Sequence, residues 1–193
     1  VCDMQIHYVS VAVPDVHGRS DIPTSHGFSS IVYGCRPESR GHLGLKSASP
    51  DDAPALYPNY LAVEQDVIDI RNGFRKTRDI FLQEAFDPYR GEQLKPSKDV
   101  NVDNDDELDA WIRATGETLY HPVGTCKMGS DKMAVTNEHG QVHGLEGLRV
   151  VDASLMPTLI SGNTNAPTIM MAEKISDHIR GRKFLSPQQI AAE

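Results

Sequence analysis

The residues best suited to chemistry lie in two stretches, YHPVGTCKMG (Tyr120–Gly129) and LRVVDASLMPTLISGNTNAPTIMMAEK (Leu148–Lys174). His121 stands immediately before Pro122, whose ring pushes the preceding residue out of helical conformation. The imidazole is therefore expected on a bend, and imidazole is the side chain best matched to proton transfer near neutral pH. A histidine there could equally cap the preceding helix or hydrogen-bond within a core. Asn163 lies in SGNTNAP, between a strand end and a helix start. Asn165, directly before Ala166 and Pro167, is the better cap, which leaves Asn163 without a local task. The free N–H groups of the helix that follows form a partial positive pole, suited to a phosphate or a negatively charged ring.

A metal is the competing reading. His139 and His143 stand at i, i+4, and Cys126 is close in sequence to His121, a set that zinc accepts. The segment carrying the pair, NEHGQVHG, is broken by glycine and is not expected to be helical. Met128, Met133, Met156, Met170 and Met171 read as core filling.

These groups need elements to position them. Gln5–Val13 is rich in β-branched and aromatic residues and reads as a strand, followed by a loop over Pro14–Thr24. Gly27–Arg36 and Gly41–Ser47 read as two further strands, antiparallel neighbours across Pro37–Arg40. Three prolines and two aspartates exclude regular structure over Ser49–Pro58. Val63, Val67, Ile70, Phe74 and Phe81 fall at helical spacing within Ala62–Ala85, with Arg71, Arg75 and Lys76 towards solvent. A second helix is expected over Asp105–Thr118, opened by a capping box of Asn104 and Glu107 and burying Leu108, Trp111, Ile112 and Thr115. Leu148–Val151 suits a strand covered on both faces. The last helix should run from Ala166 to Arg180, with Pro167 in its first turn and Gly181 at its end.

Composition excludes several classes. The 193 residues are 39% hydrophobic and 24% charged, enough to bury a core. With 27 acidic against 19 basic residues and a net charge of −8, the chain lacks the concentrated basic face of a nucleic-acid binder. No apolar run approaches the ~20 residues that cross a bilayer. The three cysteines, Cys2, Cys35 and Cys126, are too few for a disulfide framework and fit a reducing compartment. VCDMQIHYVSVAV has neither the basic flank nor the cleavage site of a signal peptide. The chain opens on Val almost directly into a strand pattern, which suggests a piece of a longer polypeptide. There is no G-x-G-x-x-G, hence no complete dinucleotide-binding βαβ unit.

Taken together, HPVGTCKMG, GLEGLRVVDASLMP and GNTNAPTIMMAEK resemble the carboxy-terminal signature of the glucose–methanol–choline (GMC) family of flavin oxidoreductases, nearest its members that oxidise choline and simple alcohols. The resemblance extends upstream through SRGHLGLKS and the long helix to QIHYVSVA, nearly the whole chain. It implies an α+β fold: an antiparallel sheet backed by helices, then a terminal strand–loop–helix belonging to the flavin domain. Residues 1–147 would form the carboxy-terminal portion of the substrate-binding domain, 148–181 the last strand and helix of the flavin-binding domain, and 182–193 a tail.

The resemblance also implies an activity: oxidation of choline or another primary alcohol to the aldehyde, by hydride transfer to N5 of FAD. His121 would act at the alcohol oxygen with Asn163 as partner, and His7 would line the alcohol pocket. Asp152 and Ala153 match the turn that meets the flavin, and Asn165, Ala166 and Thr168 the loop and helix start beside its pyrimidine edge. The main dinucleotide-binding segment would lie in a missing amino-terminal part, the chain's principal partner, so the chain alone is expected to be inactive. The implied location is cytoplasmic, with peripheral contact at the inner membrane allowed. A non-catalytic binding module, and a zinc domain built on Cys126, His139 and His143, stay open as alternatives.

Overall fold

The computed structural model of the protein describes residues 2–12 and 26–183. Val13, the loop expected over Pro14–Thr24 and most of the expected tail lie outside the described residues. The chain divides into two compact units, the first ending at Thr118 and the second beginning at Leu119.

In the first unit, β1 (Met4–Val9) and β2 (Ser29–Gly34) pair antiparallel, with Met4 opposite Gly34 and His7 opposite Ile31. Helix α1 (Glu64–Phe81) packs across this ribbon, against β2 and β1. Gly73 permits the close approach, because a Cβ there would stand 2.7 Å from Val32 Cγ1 and would also collide with Met4 Cε. At the far end of the helix the Phe81 ring meets Phe28 at 4.8 Å and Phe86 at 5.5 Å. Helix α2 (Asp105–Thr115) packs on α1 around buried Val102, Leu108 and Ile112, flanked by Leu61, Ile70, Phe74 and Trp111.

Several expectations change here. β2 and β3 (His42–Gly44) are not neighbours; β3 pairs instead with β4 (Ala55–Tyr57), inside the stretch expected to be irregular. The connection out of β2 is seized by α1: Asp66 accepts from the amides of Glu38 (2.7 Å) and Ser39 (2.9 Å), leading the chain away from the ribbon. Pro54 and Pro58 flank β4 rather than interrupt it, so no ladder amide is lost. Arg71 and Arg75 do not point to solvent. Arg71 pairs with Asp109 at 2.8 Å and Arg75 with Asp105 at 2.7 Å, tying α1 to α2. Thr115, expected in the buried stripe, is exposed. The Asn104 side chain accepts from the Glu107 amide (3.1 Å) as the capping box requires, but Glu107 reaches back to the Asn101 amide (2.9 Å).

The second unit is mostly loop, stitched by backbone hydrogen bonds. Met128 N–H donates to Leu155 O (2.9 Å), Val135 N–H to Lys127 O (3.0 Å), His143 N–H to Val135 O (2.9 Å) and Val150 N–H to Gly140 O (2.9 Å). Thr136, fully buried, donates its hydroxyl to Cys126 O. Within 119–147 these bonds tie the chain to other parts of the same unit. Leu148–Val151 makes one bridge, Arg149 with Gln141, and no strand, because only residues 140–142 pair with it. Met156 is buried, yet Met133 and Met170 are exposed and are not core filling.

Helix α3 (Asn165–Ile179) closes the unit. Asn165 is its first residue rather than its cap; Thr164 holds the cap position, and no side chain caps it. The other end matches expectation: Gly181, at φ +63°, donates to His178 O and Arg182 donates to Asp177 O, the paired bonds of a Schellman turn. Among the described residues no helix is long and apolar enough to cross a membrane.

Candidate functional site

His121 and Asn163 both belong to the second unit, and both are exposed. The chain reaches His121 through Tyr120, a non-glycine residue at φ +62°. Such a backbone costs energy unless the surroundings impose it. Beyond His121, the segment runs beside the Asp152–Pro157 turn. Gly124, at φ +86°, lies so near Met156 that a Cβ would stand 3.4 Å from its carbonyl oxygen, and Cys126 N–H donates to Ser154 O at 3.2 Å. The turn is itself fixed by Asp152, whose carboxylate accepts from the Ser154 amide at 2.8 Å. The two stretches that carry His121 and Asn163 are thereby laced together at the backbone, although no hydrogen bond joins the two side chains.

The capping alternative for these residues has no bond to support it. Among the described residues neither the His121 nor the Asn163 side chain accepts or donates a hydrogen bond. At the helix start Asn165 and Ala166 are exposed, while Thr168 turns its hydroxyl back to Thr164 O at 2.7 Å. Pro167 has no N–H, so the first turn offers the amides of Asn165 and Ala166 to whatever lies before it. Asp152 is exposed and Ala153 half-buried.

The zinc alternative finds no gathered ligands. His143 Nε2 bonds to Gly129 O (3.0 Å), and His139 stacks on His178 with ring centroids 3.7 Å apart. No group of three or more His, Cys, Asp or Glu side chains among the described residues could hold a metal ion.

His7 lies in the first unit, on β1, in company that spacing along the chain does not reveal. Its Nε2 stands 3.0 Å from Gln5 Nε2 and 2.9 Å from the Tyr33 hydroxyl. A carboxamide nitrogen only donates, so Nε2 is the acceptor and the ring proton belongs on Nδ1. Burial pushes the Tyr33 phenol up, and Cys35 and Cys2 add to the effect. Gln5 and His7 share a strand face by their spacing; Tyr33 joins them only through the β1–β2 register, in which it stands opposite Gln5.

A family model described as GMC oxidoreductase matches residues 37–172. The chain belongs to the GMC oxidoreductase family. Its curated relatives include the oxygen-dependent choline dehydrogenase of Yersinia pseudotuberculosis, 49% identical over 189 residues that make up 98% of this chain and 33% of the relative. The oxygen-dependent choline dehydrogenase of Pseudomonas aeruginosa is 51% identical over 183 residues, 95% of this chain and 32% of its own length. The chain therefore spans about a third of the length of these relatives. Among solved structures, pyridoxine 4-oxidase from Mesorbium loti superposes with a TM-score of 0.81 at 25% identity, covering 94% of this chain and 35% of that one. A formate oxidase superposes with a TM-score of 0.77 at 27% identity, over 84% of this chain and 29% of that one. The expected α+β class and GMC membership hold.

Proposed function

We propose that this GMC chain is the carboxy-terminal part of an FAD-dependent alcohol dehydrogenase that oxidises choline or another primary alcohol to the aldehyde. One observation carries the reading: the backbones of Gly124–Met128 and Ser154–Met156 are laced together, joining the two stretches on which His121 and Asn163 are both exposed. Relatives half identical to the chain and named choline dehydrogenases point to the substrate class.

The residues present suit a flavin. Asn165 and Ala166 offer backbone donors at an uncapped helix start, Thr168 stands in the same turn, and Asp152 and Ala153 form the adjoining bend. When bound, FAD supplies the hydride acceptor, N5. Neutral His121 accepts the hydroxyl proton as the alcohol is oxidised, because an alcohol gives up hydride readily only as that proton leaves. General-base help of this kind is worth ~10²–10⁴-fold. Asn163 holds the alcohol oxygen through its carboxamide, and the α3 pole favours nearby negative charge by about 1 kcal/mol. His7, with Nε2 turned to Gln5 and Tyr33, is assigned to alcohol binding on its match to the family pattern alone.

The dinucleotide-binding segment belongs to an amino-terminal part outside these residues, with 1–147 serving the substrate domain, 148–181 completing the flavin domain and 182–193 trailing. The location in this reading is cytoplasmic, in keeping with three free thiols. The test is turnover of the full-length protein with choline, ethanol and benzyl alcohol, followed by bleaching of the flavin absorbance under anaerobic conditions. Choline is expected to bleach it fastest; no bleaching by any alcohol removes the activity.

A further inference from the structure

Cys2 and Cys35 have no part in the chemistry above, yet they are neighbours across 33 residues of sequence, with Sγ atoms 4.0 Å apart. Cys2 lies just before β1 and Cys35 just after β2, at the open end of the ribbon that carries His7. The backbone there is already fixed, since Cys35 N–H donates to Asp3 O at 2.8 Å. Cys2 is exposed, and its thiol donates to Met4 O at 2.8 Å, whereas Cys35 is 3% exposed. One accessible sulfur thus rests against one sheltered sulfur. That is the arrangement of an attacking and a resolving thiol.

We propose that Cys2 and Cys35 form a reversible intramolecular disulfide, with hydrogen peroxide as the oxidant, that staples the β1–β2 ribbon. The accessible Cys2 thiol gives up its proton and the thiolate attacks one peroxide oxygen; the O–O bond breaks, the other oxygen departs as hydroxide and takes up that proton as water, leaving a sulfenic acid on Cys2. The Cys35 sulfur then attacks the Cys2 sulfur; the S–S bond forms as the S–OH bond breaks, and the hydroxyl leaves with the Cys35 proton as a second water. In sum two thiols and one peroxide become one disulfide and two waters. A bond of about 2.05 Å requires the sulfurs to close roughly half their separation, a movement that rotation of the exposed Cys2 side chain at a strand end can supply. Burial pushes the Cys35 thiol up, and its contact with Cys2 and the nearby Asp3 charge add to this. The resolving step should therefore quicken with rising pH. Cys126, half-buried in the other unit, has no thiol partner among the described residues and serves as an internal control.

The test is peroxide treatment of the full-length protein, followed by alkylation, tryptic digestion and mass mapping. A linked pair of peptides carrying Cys2 and Cys35, two hydrogens lighter than the separate peptides and parted by dithiothreitol, is expected, while Cys126 stays alkylatable. In Cys35→Ser, Cys2 should instead proceed to the sulfinic acid; in Cys2→Ser, Cys35 should remain a thiol. Should that substitution at the buried site unfold the protein, the exposed Cys2→Ser variant carries the comparison alone. Over-oxidised or unreacted Cys2 beside a free Cys35 in the folded wild type, or Cys2 linked only between molecules, overturns the proposal.

Discussion

Asp66 illustrates how much one side chain can organise. It is 6% exposed, and its two oxygens receive the Glu38 and Ser39 amides that turn the chain out of β2. Burial alone raises its pKa, but the Ser39 hydroxyl, these two amides and Arg40 together hold the carboxyl below its ordinary value. A carboxyl depressed in the folded state stabilises the fold above the unfolded value near 3.8, and that contribution fades as pH falls through the lower folded value. Asp66→Asn is expected to cost about 1–3 kcal/mol at pH 7, measured by urea denaturation, with the gap to wild type narrowing below pH ~4. An unchanged gap at acid pH would assign the loss to shape rather than charge. His7 offers a second prediction at this scale: His7→Ala in the full-length protein should raise KM for the alcohol about fivefold, the loss of one hydrogen bond, with kcat little altered. A fall in kcat alone would place His7 elsewhere in the reaction. Residue type and spacing in the sequence are what single out His121 and Asn163, and their roles rest on the tests proposed for them. The company of a side chain was not legible there, because Tyr33 reaches His7 only through a cross-strand register, and the helix cap moved from Asn165 to Thr164 by a single residue.

At the scale of elements, local patterns read well and pairings did not. The 3.6-residue period placed α1 and α2 within a few residues, and Gly181 marked the end of α3. Strand partners depend on contacts distant in sequence, and β2 lost β3 because Asp66 diverts the connection between them. The salt bridges from Arg71 and Arg75 to α2 were hidden for the same reason: a charged residue on one helix looks solvent-directed until its neighbour is known. The α1–ribbon contact yields a third prediction. Gly73→Ala gains about 1 kcal/mol of helix propensity, yet its methyl meets Val32 Cγ1 and Met4 Cε. Met4 can swing aside, but a β-branched valine is stiff at χ1, and overpacking of this kind costs about 1–3 kcal/mol. Net destabilisation is expected in the denaturant midpoint. A more stable Gly73→Ala protein would show that α1 can lift from the ribbon freely.

For the molecule as a whole, a chain one third the length of its relatives should look unfinished. Leu45, Leu56 and Tyr57 of the first unit and Ile169 and Met170 of the second are exposed. Isolated cases are ordinary, but in β4 and in the opening turns of α3 they adjoin one another. In the proposed reading the amino-terminal part covers such residues and brings the dinucleotide-binding segment. Accordingly, the 193-residue chain alone should retain no FAD through gel filtration, whereas the full-length protein should carry one per polypeptide; retention by the chain alone would relocate the cofactor's main contacts to it. The most direct test of the account is His121→Ala in the full-length enzyme, assayed for alcohol oxidation and flavin content together. The account predicts kcat/KM lowered by ~10²–10⁴-fold with flavin retained, and near-wild-type oxidation by that flavin-loaded variant would contradict it.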